Sequence, residues 1–250
     1  MRLNYPYLTL LILLASPVTS GAMAQQPAQA AIEVHAQLVP RQYTTLSSET
    51  AGSIDHLAVR EGDSFKEGQL LVHIDCSQQR AQLDEAQAIL GAAEQSRSVN
   101  KRMLELKSGG VLEANLSAAE VVKAQAKMHS IQVVLSKCSV TAPYQGRVVE
   151  QKVREHQYVQ AGQPMLEILD DSALEVEFIA PSRWLAWIRA GSAFQIQVDE
   201  TGASYGAKVS RVGAKVDAVS HSVKIIGEIT GKTLGLTAGM SGLIRVEEPE

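Results

Sequence analysis

The side chains best suited to chemistry in this 250-residue chain are six histidines and two cysteines. The histidines are scattered: no two of them stand four residues apart, and no Cys-x-x-Cys pair accompanies them. Zinc sites use ligands at short, regular spacings, so the sequence predicts no metal site. A phosphate-binding loop and the helix motif of metalloproteases are also absent from the sequence. These observations predict a protein that is not an enzyme and uses no cofactor.

The overall composition argues against one class of partner. The formal charge is −4, and Lys and Arg are mixed with Asp and Glu without forming a basic block. Aromatic residues make up only 4% of the chain. Nucleic-acid binding usually needs a basic surface and aromatic side chains that stack on bases. We therefore expect no nucleic-acid partner.

The amino terminus indicates the compartment in which the two cysteines would lie. Arg2, the apolar stretch Leu8–Ala15 and a small-residue site ending at Ala24 form the pattern of a secretory signal peptide. A retained anchor helix is the alternative, although the apolar stretch is shorter than the ~20 residues of a membrane span. Because cysteines pair in oxidising compartments, Cys76 and Cys138 are predicted to form a disulfide. Two unpaired, buried thiols are the alternative.

A small β motif occurs twice in the chain. Residues 49–75 and 138–170 each contain an apolar run, a polar turn and a Gly-Gln pair that leads into a second apolar run. Repetition of this kind indicates a duplicated structural unit. The two copies predict one small β-sandwich of short strands that closes only when both halves pair.

The segment between the two copies has a helical composition. Residues 77–137 are rich in helix formers, and "SGGVLEAN" interrupts them. One apolar position of the second helix recurs every seven residues, at Ala114, Val121, Met128 and Leu135. A second series is offset by three residues, at Ser117, Ala124, Ile131 and Cys138. Such a heptad pattern predicts two antiparallel helices that pack along a seam of small residues and project from the sandwich.

Two further details of these helices follow from the sequence. In the first helix the apolar positions pass from Ala93 to Val99 and Met103, which predicts a slip in the seam. Near the start of the second helix, Ser117 and Glu120 form the pattern of a capping box.

Strands return after residue 171. The segments "LEVEFIA", "FQIQVDE", "GAKVSRVG", "VKIIGEI" and "GLIRVEE" join the early segment "IEVHAQLVP" to give about six strands, enough for a small closed β-barrel. Between the first two, "PSRWLAWIRAG" predicts a short helix. Either Trp184 and Leu185 or Trp187 and Ile188 should pack inward from it.

This nesting of segments resembles the periplasmic adaptor proteins of bacterial efflux and secretion systems, the membrane fusion proteins of the HlyD family. The resemblance rests on "AGSIDHLAVREGDSFKEGQLLVHID", "TAPYQGRV" and "LTAGMSGLIRV". It implies an elongated, multi-domain α+β fold: an antiparallel α-helical (coiled-coil) hairpin is inserted in a split lipoyl-like β-sandwich, itself inserted in a small β-barrel. The implied segments are a signal peptide (1–24), a leader with the first barrel strand (25–45), the first sandwich half (46–75), the hairpin (76–138), the second sandwich half (139–171) and the barrel (172–250).

The resemblance also implies functional residues. Hairpin tips in the family carry an Arg, a Leu and a Ser that contact the channel, and the nearest matches are Arg102, Leu106 and Ser117, beside the loop at Gly109 and Gly110. For Leu106 the alternative role is packing in the seam, and for Ser117 it is helix capping.

A second implied site is a turn of the second sandwich half. The family turn that faces the lumen matches Glu155, His156 and Gln157. An ordinary solvated turn is the alternative. The family usually has Gly where His156 stands, so we expect this turn to be built differently.

The implied function is that of an adaptor. Family members assemble, usually as hexamers, between an inner-membrane transporter and a TolC-like outer-membrane channel. This chain would act in the periplasm, held at the inner membrane by an RND-type transporter or, alternatively, by an ABC-type secretion system. An exported monomer that binds a ligand in its β-barrel is a second class. A lipoate or biotin carrier is a third, but the helical segment follows Asp75 where a carrier would present its Lys.

Overall fold

The computed structural model describes residues 32–231 and 235–246. The predicted signal peptide and the start of the leader, at residues 1–31, lie outside the described residues. In chain order the elements are β1 (Ile32–Pro40), β2 (Tyr43–Ser47), β3 (Gly52–Leu57), β4 (Ser64–Phe65), β5 (Leu70–Ile74), α1 (Ser77–Glu105), α2 (Val111–Ser136), β6 (Ser139–Thr141), β7 (Gly146–Gln151), β8 (Tyr158–Val159), β9 (Pro164–Leu169), β10 (Leu174–Pro181), a 3₁₀ helix (Ser182–Ala186), β11 (Ala193–Val198), β12 (Ser204–Asp217), β13 (Ser222–Ile229) and β14 (Ser241–Val246).

Six strands form a closed antiparallel barrel in the order β1-β10-β13-β12-β11-β14, and pairing of β14 with β1 closes it. Alternate side chains point inward, as the period of two in a strand requires. The buried interior includes Leu38, Phe178, Ile196, Ile225 and Ile244. The strands that the sequence predicts for a barrel therefore form one.

The 3₁₀ helix between β10 and β11 contributes to the same core. Trp184 and Ile188 are buried, whereas Leu185 is exposed. Of the two predicted pairs, Trp187 and Ile188 both pack on this core, with Trp187 half-buried, whereas only Trp184 of the other pair does. The Ile188 N–H donates to the Trp184 carbonyl oxygen over 2.7 Å, a bond of α-helical spacing that places the two side chains on one side of the turn.

The sandwich consists of two four-stranded sheets, β2-β9-β7-β4 and β6-β5-β3-β8. Each sheet combines strands that precede the helices with strands that follow them. For example, Gly52 of β3 lies opposite Val159 of β8, and Phe65 of β4 lies opposite Gly146 of β7. Neither half of the repeat can therefore bury its apolar side chains alone.

Gly146 lies where two strands of the sandwich approach each other closely. A Cβ atom at this position would overlap the backbone carbonyl oxygen of Leu169. Since backbone atoms cannot move aside as a flexible side chain can, only Gly permits β7 to approach the chain at Leu169 this closely.

Helices α1 and α2 pack against each other in opposite directions. Ala93 of α1 packs with Val121 and Ala124 of α2, and nearer the sandwich Ala86 faces Ile131. Every α2 position of the two predicted heptad series is buried or half-buried. No helix in the described residues combines the length and hydropathy that crossing a bilayer would take.

The predicted slip of the seam in α1 is wrong. Val99 and Met103 are exposed, and the half-buried residues of this part of α1 are Asn100 and Leu104. These two continue the heptad spacing from Ala93, so the seam keeps its register. Packing geometry, rather than hydrophobicity, places the polar side chain of Asn100 at a seam position.

A disulfide closes the base of the helical pair. Cys76 precedes α1 and Cys138 follows α2, their sulfur atoms are bonded, and their Cα atoms lie 6.2 Å apart. The disulfide predicted from export is thus present. Beside it, the Ile74 N–H donates to the Cys138 carbonyl oxygen over 2.8 Å. The bond and the β5–β6 pairing together fix where both helices leave the sandwich.

Replacing Cys76 and Cys138 with serine should lower the free energy of unfolding. The bond spans 62 residues, and loss of a closed loop of this size corresponds to about 4 kcal/mol from the entropy of the unfolded chain. Urea and thermal unfolding of the double variant measure the change. A double variant at exposed neighbours, Gln78→Ala with Ser136→Ala, is the matched control. Identical unfolding of the Cys→Ser variant and the wild type would contradict the prediction.

Candidate functional site

The loop that joins the two helices, residues 106–110, is held by its own hydrogen bonds. Lys107 has a positive φ of 60°. Ser108 donates to the Met103 carbonyl oxygen from its N–H over 2.9 Å and from its hydroxyl over 3.2 Å. A Cβ on Gly109 would lie 2.9 Å from the Met103 Cβ, closer than real Cβ contacts come. The loop therefore presents the ends of both helices in a defined conformation.

An exposed apolar surface surrounds this loop. Leu106 is 67% exposed and Leu112 is 66% exposed. Four further apolar side chains are exposed within the last two turns of α1 and the first two turns of α2: Val99, Met103, Val111 and Leu116. We call these six residues the tip surface. Clustered apolar side chains in water indicate a surface that a partner covers.

The residues that the resemblance suggested for the tip fall into two groups. Arg102, Leu106 and Gly110 are exposed and Gly109 is half-buried, all at the loop end of the helices. Ser117 is buried between the helices, and its hydroxyl donates to the Ala114 carbonyl oxygen over 2.9 Å.

Both alternative roles for these residues are wrong. Ser117 cannot cap α2, because this helix begins at Val111 and Ser117 lies in its interior. Leu106 is not a seam residue, because its side chain is exposed. The sequence reasoning also missed Val111, Leu112 and Leu116. The sequence does contain a sign of their exposure, since these apolar residues fall outside both heptad series.

The turn at Glu155 to Gln157 is hydrogen-bonded to β3. The Glu155 carboxylate accepts the Leu57 N–H over 2.9 Å and lies 2.9 Å from the His56 Nδ1. These contacts, the Leu57 N–H first, lower the pKa of Glu155 below its ordinary value. The His156 N–H donates to the Ile54 carbonyl oxygen over 2.8 Å. Glu155 and His156 nevertheless keep exposed side chains.

The turn of the first half has the same construction, contrary to the expectation of a differently built second turn. Gly62 donates its N–H to Val148, as His156 does to Ile54, and both residues have positive φ, 88° and 66°. The Arg60 N–H donates to the Asp63 carboxylate and the Arg154 N–H to the Gln157 amide oxygen. His156 thus occupies a left-handed position that glycine suits better.

Other candidate chemistry finds no support in the described residues. His56 and His73 are cross-strand partners, but no group of three metal-binding side chains occurs in the described part of the chain. Residues 202–206, Gly-Ala-Ser-Tyr-Gly, match the Gly-x-Ser-x-Gly pattern of serine hydrolases. Ser204 begins β12 after a turn between two antiparallel strands. A hydrolase nucleophile needs a turn from a strand into a helix, so this match has no catalytic meaning.

The barrel offers little room for an enclosed ligand. Its interior is filled by large side chains, among them Phe178, Trp184 and Phe194. Phe178 and Phe194 pack edge to face, with ring centroids 5.3 Å apart. A cavity of about 620 Å³ is an open groove lined in part by the exposed residues Gln195, Lys208 and Arg245. The described geometry favours interaction surfaces over an enclosed binding site.

Comparison with known proteins identifies a family whose members act through interaction surfaces. Residues 42–171 match the family model of the barrel-sandwich hybrid domain of RND membrane fusion proteins. An uncharacterised protein of Haemophilus influenzae is 24% identical over 212 residues, which cover 84% of this chain and 56% of that protein. The pyoverdine export membrane fusion protein PvdR of Pseudomonas putida is 37% identical over 70 residues, which cover 28% of this chain and 18% of PvdR.

A solved structure shares the fold. The membrane fusion protein Spr0693 of Streptococcus pneumoniae superimposes with a TM-score of 0.75 at 18% identity, covering 88% of this chain and 100% of that one. Because the family model covers more than half of the chain, the chain belongs to the RND membrane fusion protein family. The predicted resemblance is confirmed. The family is linked to efflux and secretion and consists of adaptors, which are not enzymes.

Substituting glycine for His156 should stabilise the protein by about 1 kcal/mol. The left-handed conformation destabilises a residue with a Cβ by about 1–2 kcal/mol, and glycine removes this cost. The greater freedom of Gly in the unfolded chain offsets part of the resulting stabilisation. Gly62→Ala is the matched control, because a Cβ there meets nothing within 4 Å and only the positive φ opposes it. Urea unfolding should show opposite shifts for the two variants. A lower midpoint for His156→Gly would refute the assignment of strain.

The lowered pKa of Glu155 predicts a pH-dependent contribution to stability. Because the folded state favours the carboxylate, this group stabilises the fold above the pKa of the unfolded chain. The contribution is lost as the pH falls below about 4.5, the ordinary value, and through the lower folded one. Unfolding free energies measured from neutral to acidic pH should fall less steeply for Glu155→Gln than for the wild type. Glu61→Gln, at the equivalent place in the first turn, is the control; parallel curves for Glu155→Gln and the wild type would rule out this contribution.

Proposed function

We propose that this chain is a periplasmic adaptor subunit that links an inner-membrane transporter to a TolC-like outer-membrane channel for efflux or secretion. The observation that carries the proposal is the tip surface. It places exposed leucines at the end of two paired helices that are inserted in a domain of the RND membrane fusion family. Apolar residues on a helical face are the usual means of docking onto other helices.

The two helices would act as a projecting coiled-coil hairpin. Helices of 29 and 26 residues are roughly 40 Å long at 1.5 Å per residue. Their seam contains the small residues Ala86, Ala93 and Ala124, which bury little apolar area. We infer that such a weakly held pair can adjust its packing when the helices of a channel join it. The disulfide would keep the base in place while the tip adapts.

The remaining domains would form the wall of the conduit. Several copies, six by analogy with the family, would assemble side by side through the barrel and the sandwich, with each hairpin pointing toward the channel. The turn at Glu155 and His156 would face the lumen, which suits its exposed polar side chains. In this arrangement the substrate crosses the periplasm without leaving the assembly.

An RND-type transporter is the favoured partner in the inner membrane. The matching family model is the one for RND membrane fusion proteins, and PvdR, which shares a short segment, is named for export. An ABC-type transporter is the alternative within the same function. A monomeric protein that binds a ligand in its barrel is less well supported, because the barrel interior is filled.

Leu112→Asp should abolish productive contact with the channel while leaving the fold intact, because a carboxylate in the tip surface cannot be buried without a large desolvation cost. The readout is a periplasmic photo-crosslink from a reactive residue at Leu106 to an outer-membrane protein, together with export of the substrate by cells. Val133→Asp is the matched control, since this exposed residue lies near the other end of α2. Undiminished crosslinking and export in Leu112→Asp would overturn the proposed role of the tip surface.

A further inference from the structure

One end of the barrel carries a second apolar feature, remote in sequence from the tip surface. At this end β10 finishes at Pro181, and β12 and β13 are joined by the turn at residues 218–221. The connections to β2 and β9 are at the opposite end, next to Pro40 and Leu174. We call the turn and the adjoining 3₁₀ helix the barrel tip.

Val219 is the outermost residue of the barrel tip, with 93% of its surface exposed. Its position is ordered by hydrogen bonds. The Asp217 carboxylate accepts the N–H of Val219 over 3.0 Å and the N–H of Ser220 over 2.8 Å. The Ser182 N–H donates to the His221 carbonyl oxygen over 2.8 Å, which ties the turn to the 3₁₀ helix. A rigid turn therefore holds an apolar side chain out in water, where turns usually place polar residues.

Other exposed apolar side chains lie at the same end of the barrel. Ile179 of β10, Leu185 of the 3₁₀ helix and Val216 of β12 are all exposed. A shallow cavity of about 360 Å³ joins the two parts of the barrel tip, with Ile179, Arg183 and His221 among its lining residues. The barrel tip thus exposes apolar side chains from several elements.

Exposed cations flank the patch in a chain whose net charge is negative. Arg183 and Lys215 make no ion pair with any carboxylate of the described residues. Lys224, by comparison, is paired with Glu177 over 2.6 Å. The carboxylate of Asp217, which accepts N–H groups of the turn, is the one negative charge beside these two cations on the turn and its adjoining residues. Free positive charge therefore lies next to exposed apolar surface.

We propose that the barrel tip contacts the surface of an anionic lipid bilayer, with Val219 inserted among the headgroups and Arg183 and Lys215 facing lipid phosphates. Apolar side chains combined with nearby cations are the usual composition of such contacts. The chain also enters the barrel at this end, because β1 begins at Ile32 and runs antiparallel to β10. The apolar stretch Leu8–Ala15 precedes that point in the sequence.

The contact is tested with the full-length, oxidised chain carrying Val219→Cys labelled with an environment-sensitive dye. Only the new thiol reacts, since the native cysteines are buried in a disulfide. Vesicles of phosphatidylcholine and phosphatidylglycerol should shift the dye emission to the blue, and vesicles of phosphatidylcholine alone should shift it much less. Val122→Cys, at an exposed valine of α2, should give no shift.

Co-sedimentation with the same vesicles gives an independent readout. Val219→Asp should weaken binding by about tenfold, because it removes an inserted apolar side chain. Arg183→Gln and Lys215→Gln should each weaken binding to the anionic vesicles by about fivefold, as expected for one charge near a lipid surface. The inference fails when the dye at residue 219 keeps its emission in water, or when Val219→Asp binds like the wild type. It does not rest on the proposed channel or transporter, so its failure would leave the proposed function standing.

Discussion

Strand pairing across the helical segment is the constraint on which the rest of the structure depends. β3 pairs with β8 and β5 pairs with β6, although α1 and α2 lie between them in the chain. The sandwich core therefore forms only when the chain returns to the point from which it left. This return forces the two helices to run side by side in opposite directions. The Cys76–Cys138 bond lies at that crossing point and reinforces a geometry that the sheet already imposes.

The duplication explains why the two halves fit together. Each half uses the same devices: a turn with a positive φ at Gly62 or His156, and an Asp that accepts a Ser N–H where the half ends. Asp75 accepts from Ser77 and Asp170 from Ser172, both over 2.9 Å. The chain then continues into α1 after the first half and into β10 after the second. One local motif thus serves as the boundary both of the helical insertion and of the barrel.

Much of this fold can be predicted from the sequence, because burial follows a regular period along the barrel strands and α2. The alternation in the barrel strands and the two heptad series of α2 identify the buried residues. The failures occur where hydrophobicity and burial disagree. Asn100 is polar but takes a seam position, while Val99 and Met103 are apolar but face solvent. Val99 and Met103 fit the predicted seam, and Val111 and Leu112 lie in the segment predicted to interrupt the helices, so only Leu106 of the tip surface is predicted from the sequence. Val219 lies in a connection between two predicted strands, where no periodic pattern indicates its role.

The distribution of apolar residues along the helical pair argues for a second burial event. Three of the residues buried between the helices are the alanines Ala86, Ala93 and Ala124, next to Val121 and Ile131, whereas Leu106, Leu112 and Leu116 are in water. A pair selected only for its own stability would have the opposite arrangement, because burying a leucine is worth about 1.5–3 kcal/mol and an alanine much less. That free energy is not used in the isolated chain. It becomes available when other helices cover the tip, so the same leucines that contribute little to folding can drive association.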